Sequence, residues 1–62
     1  MDANPLLLTP KAAAKRLSLA ESTVYQLISR GEIKSLLIGR ARRIPMDALT
    51  AYVARLREEQ GA

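Results

Sequence analysis

The chain has 62 residues, a formal net charge of +4 and a sequence pI near 10.1, and it contains neither cysteine nor histidine. This length supports one small domain with modest burial, and the missing residue types remove disulfide frameworks, thiolate metal sites and most acid–base chemistry at neutral pH. No apolar stretch approaches about 18 residues, so no membrane span is expected.

The chain reads as starting at a native Met1. The apolar run Leu6 to Leu8 follows Asp2 rather than a basic segment, so no signal peptide is expected. Thr9 suits a helix N-cap, and Pro10 suits the first helical position, where its missing N–H costs nothing. An Ala-rich stretch follows, and a first helix is predicted over 10–18, with Ala13, Ala14 and Leu17 on one face and room for a second helix to approach closely. After a short break at Ser18 to Ala20, a second helix is predicted over 21–30. Val24, Leu27 and Ile28 recur at helical spacing, and Gly31 ends the helix. Two short helices joined by about three residues form a helix-turn-helix candidate.

Residues 33–44 lack helix signals and read as a hairpin. Its first strand is Ile33 to Ile38, its turn Gly39-Arg40-Ala41 and its return strand Arg42 to Ile44, stopped by Pro45. Leu36 and Ile38 share one strand face, and Leu37 takes the other. A last helix is predicted over 46–59 from the stripe Leu49, Tyr52, Val53 and Leu56, with fraying expected over Gln60 to Ala62. Residues 1–62 are thus expected to form a single domain, mainly α with a small β-hairpin, in which a recognition helix is followed by a wing.

Charge distribution narrows the function. Residues 1–45 hold eight Lys/Arg against three acids, whereas residues 46–62 hold two against three. A basic excess in the half that carries the two short helices and the hairpin points to a polyanion, most often nucleic acid. The carboxylates Asp2, Glu21, Glu32, Asp47, Glu58 and Glu59 are scattered, so no catalytic pair, metal site or cofactor site is expected, and no enzyme activity.

With Val24, Leu27 and Ile28 facing inward at about 100° per residue, Ser22, Gln26 and Ser29 face outward and Tyr25 and Arg30 flank them. That is the surface a helix presents to the major groove of double-stranded DNA. Gln26 can pair bidentately with an adenine edge, and Ser22 can bond to a base or phosphate. Glu21 suits the positive helix end and can accept a bond from a cytosine amine, although it repels phosphate. In the wing, Arg40, Arg42 and Arg43 crowd the hairpin tip. Arginine is favoured in a narrow minor groove, and Arg40, beside Gly39, is the expected deepest contact. Arg42 and Arg43 alternate in direction, so only one of them is expected to face phosphate fully. Lys11, Lys15, Arg16 and Lys34 are second-tier phosphate candidates.

The segments LLTPKAAAKRL, STVYQLISRGEI and IGRARRIP, followed by an amphipathic helix, resemble the excisionase-type winged helix-turn-helix family, related to the DNA-binding part of MerR regulators. The resemblance covers roughly residues 7–56. It implies the major-groove role for 21–30, the wing role for 33–44, and a DNA-bending recombination directionality factor that biases phage integrase toward excision, acting in the cytoplasm of a bacterial host. The chain departs from many relatives in having Ser18 where they have Gly, Ala20-Glu21 where they have Ser-Arg, and Arg42 where they are often aromatic. With Ala62 read as its end, the chain is expected to lack the dimerisation helix and effector domain of MerR regulators.

An isolated module covers roughly 600–1,000 Å² of DNA-facing surface. Neighbours are therefore expected, either copies of the chain packed head-to-tail along DNA or integrase, with Leu6 to Leu8 and Leu37 as candidate contacts. Two alternatives remain open from the residues: a small transcriptional regulator of a mobile element, and a protein-interaction module such as an antitoxin or packaging adaptor.

Overall fold

A computed structural model describes residues 6–61. Asp2 and the outermost parts of the expected 1–62 domain, including Ala62, lie outside the described residues. The elements follow the order β1 (Leu7–Leu8), α1 (Pro10–Leu17), α2 (Glu21–Ser29), β2 (Leu36–Ile38), β3 (Ala41–Pro45) and α3 (Met46–Gln60). The strands make one antiparallel sheet in the order β1-β3-β2, so the two outer strands are edges. Three helices with a small sheet make a winged helix-turn-helix.

α1 starts where Thr9 Oγ1 accepts the Ala12 N–H at 3.0 Å, with Pro10 in the first turn. Its end corrects the predicted 10–18 span. Ser18 leaves the helix at φ 58°, in the left-handed region. Its N–H donates to the Lys15 carbonyl at 3.2 Å, and the Leu19 N–H reaches the Ala14 carbonyl at 2.9 Å. This is the Schellman pattern that satisfies a helix's last carbonyls, here with Ser where Gly is usual.

α2 closes in the same way. The Gly31 N–H donates to Ile28 O at 3.0 Å, the Glu32 N–H donates to Leu27 O at 2.9 Å, and Gly31 has φ 77°. Arg30, predicted inside the helix, is its C-cap.

The core joins the elements through Leu8, Ala13, Ala14, Val24, Leu27, Ile33, Ile44, Leu49 and Tyr52. Ala13 and Val24 are fully buried, and their small size lets α1 and α2 pack closely. Ile28, placed inward by the sequence pattern, is only half-buried, and so is Leu56 of the α3 stripe, while Val53 is exposed.

The hairpin is shorter than predicted. Ile33 is buried in the core, and the strand begins only at Leu36. Ala41 belongs to β3 and pairs with Ile38, which leaves Gly39-Arg40 as a two-residue turn. A positive φ at Gly39 (63°) and not at Arg40 is the II′ pattern, whose twist matches that of paired strands.

Pro45 does not stop the strand. It is the last residue of β3 and pairs with Leu7 of β1, a strand the sequence reading did not anticipate. The Met46 N–H donates to the Leu6 carbonyl at 2.9 Å. By the antiparallel alternation, the missing N–H of Pro45 falls on the side toward β2, beyond the hairpin's last pair at Leu36–Arg43. α3 then runs through Gln60, where fraying had been expected.

Candidate nucleic-acid interface

Burial of Val24 and Leu27 fixes the rotation of α2 about its axis. Glu21, Ser22, Tyr25, Gln26, Ser29 and Arg30 are all exposed as a result. Ser22, Gln26 and Ser29 lie three or four residues apart, so their side chains line one ridge. Glu21 sits in the first turn, where the helix dipole favours a carboxylate. The N-cap, Ala20, makes no side-chain hydrogen bond, so Ser18 does not substitute for the missing cap. Arg30 lies 3.9 Å from a Glu32 carboxylate oxygen, with both side chains well exposed. An exposed pair of this kind is weak, which leaves Arg30 free to turn toward a stronger anion.

The connection from α2 to the hairpin is tied down at several points. The Leu27 carbonyl accepts from both Glu32 and Ile33, at 2.9 and 3.3 Å, and the Ile33 side chain plugs the core. From α3, Arg55 donates to the Glu32 carbonyl, and its guanidinium lies 5.9 Å from the Tyr52 ring centroid. The recognition helix and the wing are therefore held in a fixed mutual position.

The structure separates the three wing arginines. Arg40, in the turn, is exposed. Arg42 is half-buried, and its Nη1 donates to Ser35 Oγ at 2.8 Å. Arg43 is also half-buried, and its Nη1 donates to the Arg42 carbonyl at 2.8 Å. Both guanidinium groups thus make one bond within the wing and stay partly exposed, unlike that of Arg40. Ser35 is a site residue that sequence reasoning missed. The signal was available only through the register. Leu37 lies opposite Arg42, which makes Ser35 its diagonal neighbour on the same face, within reach of a long side chain.

Lys11, Lys15, Arg16 and Lys34 are exposed around these elements. Among the described residues no polar or charged side chain is buried, and no cluster of three acidic, histidine or cysteine side chains could hold a metal. What the surface offers is hydrogen bonding and positive charge over an exposed helix ridge and a hairpin tip. No described helix is long and apolar enough to cross a membrane.

Comparison with known proteins agrees with this geometry. The family profile described as a helix-turn-helix domain matches residues 7–57. A protein from Saccharopolyspora erythraea named "probable excisionase" is 49% identical over 59 residues, covering 95% of this chain and 60% of that relative. The chain thus spans about 60% of the length of the curated relative it matches. No solved structure matches.

Proposed function

From the premise that the chain belongs to the helix-turn-helix domain family, we propose that it is an excisionase-type protein that binds and bends duplex DNA and biases integrase-mediated recombination toward excision. α2 enters the major groove, with Gln26 and Ser22 reading base edges, Ser29 beside them on the same ridge, and Tyr25 and Arg30 on the flanking backbone. Glu21 takes the cytosine-amine role. The wing lies over the adjacent minor groove, with Arg40 deepest and Arg42 and Arg43 holding the hairpin and adding positive field near phosphate.

One observation carries this reading: an exposed polar ridge on α2 is locked, through the Leu27 carbonyl and buried Ile33, to a hairpin whose turn presents Arg40. The name of the Saccharopolyspora relative supports the recombination role.

Copies assemble head-to-tail along the DNA. Leu6, just before β1, and Leu37, in β2, are 83% and 61% exposed and lie by the two outer strands of the sheet, the arrangement a heterologous contact needs. Leu8, named with them in the sequence reading, is in the core and takes no part.

Gel-shift titration on DNA flanking an attachment site, with circularly permuted probes, tests the proposal. Stepwise, strongly bent complexes are expected, with a log–log salt slope of about −4 to −5 for roughly five neutralised phosphates. A single unbent complex would favour a transcriptional regulator, and no complex at low salt would remove the DNA role.

A further inference from the structure

The wing carries more exposed apolar surface than a solvated edge strand should. Leu36, Leu37 and Ile38 are 48%, 61% and 54% exposed, and together they make up the whole of β2. Edge strands are ordinarily protected by charged side chains or proline, and this one has neither.

Ile38 differs from its neighbours in position. It is the last residue before the Gly39-Arg40 turn, and its cross-strand partner is Ala41, too small to cover it. Leu36 lies opposite Arg43 and Leu37 opposite Arg42, so both have a long side chain beside them. The hairpin tip therefore presents a bare branched hydrocarbon next to one exposed guanidinium, while the other two arginines bond within the wing.

Resting on the reading of the wing as a minor-groove element, we infer that Ile38 is an apolar wedge that presses into a base step of the minor groove and produces the bend, while Arg40 anchors the tip in the groove. The occupant of this apolar surface is DNA because the surface is continuous with the arginine-bearing turn, whose charge complements phosphate. Minor-groove proteins that insert Ile, Leu, Met or Pro between bases kink the duplex toward the major groove, and the unstacking energy is recovered through wider contact with the bent DNA. Ile38 side-chain chemistry involves no charge, so it changes shape without changing the number of phosphates neutralised.

The test uses the full chain and the tightest duplex recovered from a pool of random duplexes, with footprinting to locate the minor groove under the wing. 2-Aminopurine placed at successive steps there reports unstacking, and end-labelled energy transfer reports the bend. The unmodified chain should raise 2-aminopurine fluorescence at one step. Ile38→Ala should abolish that rise and most of the bend, leave the salt slope unchanged, and weaken affinity by no more than about tenfold, since only a partial unstacking is at stake. Ile38→Met should restore both signals. Val53→Ala, exposed on α3 and away from the wing, should leave both intact.

Ile38 is exposed, so these substitutions do not threaten the core. Tight binding by the unmodified chain with no fluorescence rise, or a bend that survives Ile38→Ala, overturns the wedge while leaving DNA binding standing. Loss of cooperativity between adjacent sites with an unchanged bend assigns Ile38 to a contact between copies and overturns it as well. Failure of the unmodified chain to bind any duplex overturns the underlying reading itself.

Discussion

Arg40 and Gln26 are both exposed polar side chains, yet they should fail in different ways when removed. Arg40 is a point of charge at a hairpin tip, and in the proposed complex it would contact what every duplex offers. Arg40→Ala should weaken binding to all sequences alike and reduce the magnitude of the salt slope by about one, as expected for one phosphate-linked cation. Gln26 sits on the α2 ridge, where its amide can satisfy a donor and an acceptor together. Gln26→Ala should cost about 1–3 kcal/mol of discrimination between cognate and altered sites and leave the salt slope unchanged. Titrations of both variants on cognate and scrambled duplexes at several salt concentrations decide the matter, and parallel losses would dissolve the division of labour. The ridge was legible in the sequence because Val24, Leu27 and Ile28 set the wheel, and the half-burial of Ile28 does not turn it. The inequality of the three arginines was not. Arg42 reaches Ser35 only because the turn contains Gly39 and Arg40 and no third residue, and a register shift of one residue exchanges the two faces of a strand.

Element boundaries follow from backbone conformation, and two of them make opposite predictions. Ser18 and Gly31 occupy the same left-handed position after α1 and α2, at φ 58° and 77°. A side chain in that conformation costs roughly 1–2 kcal/mol, so Ser18→Gly should stabilise the domain and Gly31→Ala should destabilise it, each by about 1 kcal/mol. A Cβ at Gly31 meets nothing within 4 Å, so the cost there comes from φ alone and not from a clash. For a domain of this size, 1 kcal/mol moves Tm by about 4–8 °C. Thermal unfolding should show the two variants displaced in opposite directions, and a Gly31→Ala protein of unchanged Tm would refute the argument. A third change acts at the uncapped start of α2, where Ala20→Ser supplies an acceptor for an orphan N–H and should add about 1 kcal/mol. Thr9-Pro10 and Gly31 were legible as punctuation since their chemistry is local. β1 was not, because two leucines show no alternation and their partner strand lies far along the chain at Ile44 and Pro45. Ile33 was misread as strand for a related reason: an isolated apolar residue before a turn looks the same whether it extends a sheet or plugs a core.

At the scale of the whole molecule, dimensions limit what one copy can do. The longest principal extent is 38 Å, close to one turn of B-DNA at about 34–36 Å. A copy laid with its long axis along the duplex would span about one turn, and a neighbour shifted by one turn would then present its sheet edge to the free edge of the first. With Leu6 on one side and Leu37 on the other, contact requires both the right distance and the same face of the duplex. Binding to paired sites should accordingly be cooperative when their centres are about 10–10.5 bp apart and should lose that cooperativity when about half a turn is inserted, which rotates the second copy to the far side. Restoring a full turn should not restore cooperativity, because the copies are then too far apart to touch unless a third fills the gap. Leu6→Ser or Leu37→Ser should each remove the cooperative term while leaving single-site affinity unchanged, since neither residue lies on the α2 ridge or in the Gly39-Arg40 turn. A combination of one Leu6→Ser copy and one Leu37→Ser copy is the sharpest case: in one order along the DNA the two intact leucines face each other and cooperativity survives, and in the other order it is lost. Equal cooperativity in both orders would mean that the contact is symmetric and the assembly is not head-to-tail.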